Sequence, residues 1–408
     1  MAAHRKKKGP LEGARVLDLT RALSGPFGSM ILGDMGADVI KIEGVKTTAV
    51  EFGSRTPLDP KYSYQGEEVY FLSINRNKKS VALDLKSPKG VEVFWDLCRK
   101  CDVVLDNFRP GVMRKLKIDY GTLKKVNPRI ICCSLTGFGG SGPYADRPAF
   151  DLIIQALSGG MSITGEPGGP PSRAGIPIGD LAGGMFAAQG ILAALYSRER
   201  TGEGQNVDVA LLDCQISMLT YVAANYLICG VEQGKLGSRH QTNPVYGAFK
   251  TKDGYITISA HRGSFWKNLC SAMGDGRLAL DPRFNTDQRR LQNVNELWSV
   301  LDKAFSTKPT AEWLDRLKAA DVPCSPINTI AEALSDPQVA HRNMIVTLKH
   351  PKSGEIRLAG NPVKMSATAQ QPYEYPPTLG QHTREILNSI LGYSDERISE
   401  LVRDQVVA

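Results

Sequence analysis

The chain has 408 residues and a formal charge of +8 at neutral pH, which is long enough for two domains, or for one domain with a large insertion. Its apolar content of 42% excludes a chain dominated by disorder, no uninterrupted apolar run approaches the roughly 18 residues needed to cross a bilayer, and the N-terminus lacks the apolar core of a signal peptide. The positive charge is diluted along the chain, without the interleaving of aromatic and basic residues that nucleic-acid readers show, so it favours a small anionic ligand such as a phosphate. A soluble, cytoplasmic protein that binds neither nucleic acid nor membrane is expected.

The run His4–Lys8 reads as a solvated tail. After it, residues 14–20 (ARVLDLT) predict a buried strand, the turn RALSGP leads into the helix FGSMILGDMGA, and DVIKIE is the next strand. Strand, helix and strand within some thirty residues make a crossover unit of a parallel sheet. The first turn is Leu23-Ser24-Gly25-Pro26 rather than GxGxxG, which argues against a dinucleotide. Between Glu43 and Glu68 the composition is that of a surface loop. YFLSIN and SVALDL predict two short strands flanking Asn75-Arg76-Asn77-Lys78-Lys79, a cationic segment that suits a solvated loop or a phosphate contact. Lys89–Cys101 is an amphipathic helix, and DVVLDNF a strand whose end carries Asn107, Phe108 and Arg109, at the edge where open parallel sheets bind ligands. RIICCSLTGFGG repeats the pattern and places Thr136 to Gly140 on the same edge.

Eight cysteines are present. Cys98 and Cys101 are spaced CxxC and Cys132 and Cys133 are adjacent, but no second pair stands at ligand spacing, so reduced thiols and no metal are expected. A helix from Phe150 to Ile163 leads towards residues 171–208. There Asp180 is followed by LAGGMFAAQGILAALYSR, the spacing of a buried helix. An Asp at that point caps a helix N-terminus, or serves chemistry in the clearance left by Gly175, Gly179, Gly183 and Gly184. Residues 206–212 (NVDVALL) form another strand, for six or so in all, and 213–229 a long helix. YGAFKTKDGYITISA is a hairpin turning at Asp253-Gly254. Helices at 264–273, 294–305 and 310–320 follow, then strands near 344–348 and 356–358 and a last helix from His382.

Nine segments in order, VLDLTRALSGPF, GADVIKIE, NRNKKSVALDL, DNFRPGVMRKL, GFGGSGPYADRPAFDLIIQALSGGMSITG, IGDLAGG, RTGEGQNVDVAL, YGAFKTKDGYI and LGQHTREIL, resemble the family III CoA-transferases from Val16 to about Leu387. The resemblance implies an α/β fold: a large domain with a Rossmann-like parallel sheet, built from residues 1–212 and 331–408, a linker over 213–244 and an inserted smaller α+β domain over 245–330. It also implies an interlocked ring-like homodimer. Asp180 falls on the family's nucleophile. Coenzyme A enters as a thioester substrate, with no permanently bound cofactor, and its implied contacts are Ala22, Leu23, Ser24, Leu72, Asn75, Lys78, Asn107, Phe108, Lys115, Thr136 and Phe138. Lys115, beside Arg114, stands where relatives carry a phosphate-binding Arg, and Phe138 where some carry Tyr.

A carboxylate is ionised at neutral pH and attacks a thioester without a partner base. Oxyanion donors are sought in the main chain of Thr136–Gly140 and Arg262–Ser264. Two alternatives share the fold. A relative resembling α-methylacyl-CoA racemase needs a second acid–base group where Ala149-Phe150-Asp151 stands, and phenylalanine moves no proton; a noncatalytic acyl-CoA-binding protein has no need of the nucleophile. The acids are not named by the sequence. Arg173, Arg239 and Arg262 are candidates for a second substrate carboxylate, and His240 and His261 fall near the same cleft.

Overall fold

The computed structural model describes residues 9–45, 55, 59–260, 263–368 and 372–408. The run His4–Lys8, half of the polar stretch between Glu43 and Glu68, and both His261 and Arg262 lie outside the described residues. The chain divides into two compact units, one of Met1–Gly160, Arg173–Cys229 and Ala340–Ala408, the other of Met161–Ser172 and Gly230–Val339.

The first unit is mixed α/β with a central parallel sheet. Its strands in chain order are β1 (Arg15–Asp18), β2 (Asp38–Glu43), β3 (Lys78–Ala82), β4 (Val103–Asp106), β5 (Ile131–Thr136) and β6 (Asn206–Ala210). They lie side by side as β3-β2-β1-β4-β5-β6, all parallel. Because side chains alternate across a strand, neighbouring residues serve opposite faces. Leu17, Ile40, Val104 and Cys132 enter one buried cluster with Phe94 and the C-terminal Ile386 and Leu387. Val16, Val39, Val103 and Ile131 enter another with Ala182, Ala187 and Ile191. In this order the chain reverses direction of progress between β1 and β4, and a crevice opens at the carboxyl ends of such neighbours.

The helices Ser24–Asp34 and Ile178–Thr201 cross beside that crevice. Their approach requires glycine: a Cβ at Gly28 would lie 2.8 Å from the Gly184 carbonyl oxygen, and one at Gly184 would lie 2.5 Å from that of Ser24. Among the described residues, Ile178–Thr201 is the one unbroken helix long and apolar enough to cross a bilayer. Here its small residues pack into the core, which explains the composition without a membrane.

Four elements differ from the expected pattern. YFLSIN is a short helix, Val69–Ile74, and not a strand; Glu68 accepts a bond from the Tyr70 N–H at 3.4 Å, and Phe71, Leu72 and Ile74 are buried. A six-residue apolar run carries too little period to tell the two apart. The long helix expected over 213–229 is two, Leu211–Met218 and Tyr221–Cys229, bent by 76° at Thr220, whose φ is +46°. The helix from Phe150 likewise breaks into Asp151–Leu157 and Gly160–Ile163 around Gly159, at φ +86°. Finally, the helix of Asp180 begins at Ile178 after Pro177, so Asp180 is its third residue and not its cap.

In the second unit Tyr246–Lys250 and Tyr255–Ser259 form the hairpin, with Cys324–Pro326 on the other side of Tyr255–Ser259. Helices Gly263–Met273, Val294–Phe305 and Thr310–Ala319 close over Phe249, Trp266, Trp298, Phe305 and Trp313. Residues Met161–Ser172 join this unit: the Gly237 N–H donates to the Gly165 carbonyl at 2.9 Å, and Lys235 Nζ bonds the carbonyl of Gly169.

Candidate active site

A cluster of ionic groups lies buried beside the carboxyl end of β1, with Lys41 from β2 and Lys78 from the amino end of β3. Asp18 Oδ2 accepts from Lys78 Nζ at 3.0 Å and from Ser29 Oγ at 2.7 Å, and Oδ1 accepts from the Thr20 N–H at 2.8 Å. Lys78 Nζ also bonds Asn75 Oδ1 at 2.9 Å and the Pro26 carbonyl at 3.0 Å, while Lys41 Nζ reaches the Thr20 carbonyl at 2.7 Å. Burial alone would raise the Asp18 carboxyl; the ammonium groups of Lys78 and Lys41, with the hydroxyls of Thr20 and Ser29, overturn it and hold the group far below the carboxylate range. Burial pushes Lys78 down to about 8 against the pull of Asp18. Apart from the Lys78–Asn75 bond, the contacts just given run to the chain between Asp18 and Ser29, so the cluster fixes the turn Thr20–Ser24.

Asn107 holds the same turn from the next strand. Its Oδ1 accepts from the Arg21 N–H at 2.9 Å and its Nδ2 donates to the Arg21 carbonyl at 2.7 Å. Ala22 is thereby kept at φ +58°, left-handed for a residue with a Cβ. Ser24 Oγ then donates to the main-chain carbonyl of Asp180 at 2.7 Å, which joins the turn to the start of the Asp180 helix.

Asp180 lies on a cavity walled by Arg21–Ser24, Asn107–Pro110, Leu135–Gly137 and Arg147–Phe150, at the carboxyl ends of β1, β4 and β5. The N-terminus of its helix is capped from a distance by Asp151, whose Oδ1 accepts from the Gly179 N–H at 2.8 Å and the Asp180 N–H at 3.3 Å. Asp151 Oδ2 accepts from Gln155 Nε2 at 2.6 Å. Burial, and then the charge of Asp151, push the Asp180 carboxyl up to about 6. At pH 7 about nine-tenths of it is still ionised. The Tyr70 phenol, raised above its ordinary range by burial and then by Asp180 and Asp151, stays neutral beside them.

The cavity brings together Asp180 with the expected Ala22, Leu23, Ser24, Asn107, Phe108 and Thr136. Other expected contacts lie elsewhere. Asn75 and Lys78 are buried in the ionic cluster, and Leu72 is buried with Leu348 and Ile356, so none of the three lines the cavity. Phe138 packs on the core and meets Tyr144 edge-on at 5.7 Å. Lys115 lines a separate cleft with Trp95 and Leu116. Two of the three glycines of the loop Thr136–Gly140 are not free oxyanion donors: the Gly139 N–H is taken by Thr136 Oγ1 and that of Gly140 by Asp208 Oδ2, both at 2.9 Å. Residues unforeseen in the sequence are Asp151 as a cap, Tyr70, Arg21 and Arg147. Only tertiary contact marks them, Tyr70 being hidden in the run read as a strand.

An ionised carboxylate in a half-closed cavity bordered by arginines suits attack on an acyl group delivered by an anionic carrier. The comparisons with known proteins agree with that chemistry. The sequence profile of CoA-transferase family III matches residues 11–383. The succinyl-CoA:glutarate CoA-transferase of Mus musculus is 40% identical over 400 residues, covering 98% of this chain and 90% of its own. The acetyl-CoA:oxalate CoA-transferase of Acetobacter aceti is 41% identical over 375 residues, covering 91% and 92%. A crystal structure of a CAIB/BAIF family protein from Brucella suis has a TM-score of 0.84 at 33% identity, covering 94% of this chain and all of its own. A match across residues 11–383, with relatives of about 40% identity along nearly the whole chain, shows the family: the chain belongs to the family III CoA-transferases and moves CoA from an acyl-CoA thioester to a free carboxylic acid.

Proposed function

We propose that Asp180 is the nucleophile and that the acids exchanged are dicarboxylic. The observation that carries the first part is the placing of its ionised carboxylate on the switch-point cavity, joined to the Ser24 turn and to Asp151. Asp180 attacks the donor thioester carbonyl, giving a mixed anhydride and CoA thiolate. The thiolate attacks the aspartyl carbonyl, forming an aspartyl-CoA thioester and releasing the donor carboxylate. The acceptor carboxylate attacks that thioester, and the thiolate expelled takes the acceptor acyl group from the second anhydride, restoring Asp180. Each thioester broken is replaced by another, so no other energy source enters. The dicarboxylic reading follows the relatives, whose names specify succinyl, glutarate and oxalate.

In this reading CoA lies along Ala22–Ser24 and Asn107–Arg109, with Thr136 at the cavity and Phe138 behind it. Arg21 and Arg109 supply charge for its phosphates, and Lys115 stands further out. Leu72, Asn75 and Lys78 act as supports of the wall. The Rossmann-like large domain, the smaller domain inserted over about 245–330 and a cytoplasmic setting belong to the same proposal; eight free thiols, most of them buried, support a reducing compartment. Incubation with acyl-CoA and hydroxylamine should convert Asp180 alone to a hydroxamate, detected by peptide mass spectrometry. Modification at another carboxylate, or none, would reject the nucleophile.

Asp151 provides a second test. In Asp151→Asn the amide oxygen still accepts from the Gly179 N–H while the charge is gone, so the acidic limb of kcat/KM should move below its wild-type position near pH 6. An unmoved limb would remove Asp151 from the electrostatics of Asp180.

The proposed homodimer is supported by the helix Tyr221–Cys229, which is apolar yet buries none of its residues, with Leu227 80% and Ile228 81% exposed. An apolar helix of this kind is normally covered. Sedimentation at nanomolar concentration should find dimer; a folded monomer there would refute the interlocked arrangement.

A further inference from the structure

We propose that Arg147 recognises the remote carboxylate of a dicarboxylic acyl group or acceptor while the reacting carbon lies at Asp180; this rests on Asp180 as nucleophile.

Three guanidiniums border the cavity, those of Arg21, Arg109 and Arg147, and among the described residues none has an ion-pair partner. They fall on different walls. Arg21 is held through its main chain by Asn107 and lies over the Phe108 ring at 5.6 Å, so with Arg109 it forms part of the strand-end wall assigned to CoA. Arg147 belongs to the segment that ends in Asp151, whose carboxylate is bonded to the Asp180 N–H. Four residues of extended chain span at most roughly 14 Å, and both Arg147 and Asp180 line the one cavity. A side chain with a reach of several ångströms from such an anchor suits an acid whose two carboxylates are separated by a few methylenes.

The fork of Arg147 is also held without being used. Its guanidinium lies on the Tyr144 ring at 3.7 Å from the centroid, and Phe138 meets that ring edge-on. Contact with the ring face positions the guanidinium and leaves its N–H groups for a planar anion, which arginine can bind through two bonds. Of the three arginines nominated from the sequence, Arg262 lies outside the described residues and the other two are engaged elsewhere. Arg173 Nη1 donates to the carbonyls of Ala174 and Gly175, and Arg239 lies on Trp298 at 4.1 Å and donates to Asn295.

The experiment compares wild type, Arg147→Gln and Arg147→Lys with succinyl-CoA or acetyl-CoA as donor and glutarate or pentanoate as acceptor. For Arg147→Gln, KM for glutarate and for succinyl-CoA should rise ~10- to 100-fold, the loss expected of a charge-assisted bond. KM for acetyl-CoA and pentanoate should hold, and Arg147→Lys should recover part of the difference. A rise shared equally by acetyl-CoA would make Arg147 a phosphate contact and overturn the proposal, as would unchanged KM for glutarate. Wild type is measured in the same series: equal kcat/KM for glutarate and pentanoate overturns the proposal whether or not a variant folds. Hydroxylamine trapping of Asp180 with acyl-CoA needs no acceptor acid, so failure of the nucleophile is seen separately from failure of Arg147.

Discussion

Asp180→Asn should lower kcat by about four orders of magnitude or more, as loss of a covalent nucleophile does, in a protein that remains folded. Transfer from succinyl-CoA to glutarate, followed by separation of the CoA esters, measures it; a folded variant with more than a hundredth of wild-type activity would leave another group as the nucleophile. The wild type should itself report the group. The proposed nucleophile requires an ionised Asp180, and its carboxyl is raised to about 6, so kcat/KM should fall with acid below that pH. The same shift has a sign for stability. A carboxyl raised on folding binds its proton more tightly in the folded chain, so stability from this group is greatest below the unfolded value near 3.8 and is lost as pH rises through about 6. Asparagine does not ionise. Asp180→Asn should therefore be more stable than wild type at pH 8, by about 1–3 kcal/mol, with the gain vanishing near pH 4. Urea unfolding at the two pH values checks it, and a destabilised variant at pH 8 would contradict the strained nucleophile.

What the sequence made legible was what repeats locally. DVIKIE and Val294–Phe305 stand where their patterns put them, because a buried parallel strand and an amphipathic helix each repeat a period over enough residues to be read. Asp180 was visible for another reason: glycines around a carboxylate are hard to explain by helix formation alone. Its surroundings were not visible. Asp151 reaches the Asp180 N–H across 29 residues, and nothing local distinguishes it from an ordinary first-turn acid. Thr220 has no glycine to announce the left-handed backbone that bends its helix. Lys78 was the hardest to read, since cations between two apolar runs suit a solvated loop or a phosphate contact alike, and only the fold brings Asp18 from 60 residues away to bury the pair.

That burial makes the second large prediction. Lys78→Met should destabilise the protein by about 3–5 kcal/mol, the cost of leaving a buried charge without its partner. Asp18 is fully buried, and Lys78 is one of two ammonium groups that hold its carboxyl down against burial. A depressed carboxyl stabilises the fold above its unfolded value near 3.8, an effect lost as pH falls through the folded value. The deficit of Lys78→Met should accordingly be full at pH 7 and narrow in strong acid, where Asp18 protonates. Asp18→Asn added to Lys78→Met should recover part of the loss at neutral pH, since it removes the stranded charge; the double variant and both singles form a cycle read by denaturant unfolding. Activity distinguishes this from a ligand contact. A side chain that touched CoA would raise KM for every CoA ester in a protein of unchanged stability, whereas a support under the Thr20–Ser24 turn lowers stability first. It should also lower kcat, because that turn is bonded through Ser24 to the carbonyl of Asp180. Lys78→Met with wild-type stability and a raised KM for CoA esters would return Lys78 to the surface of the substrate.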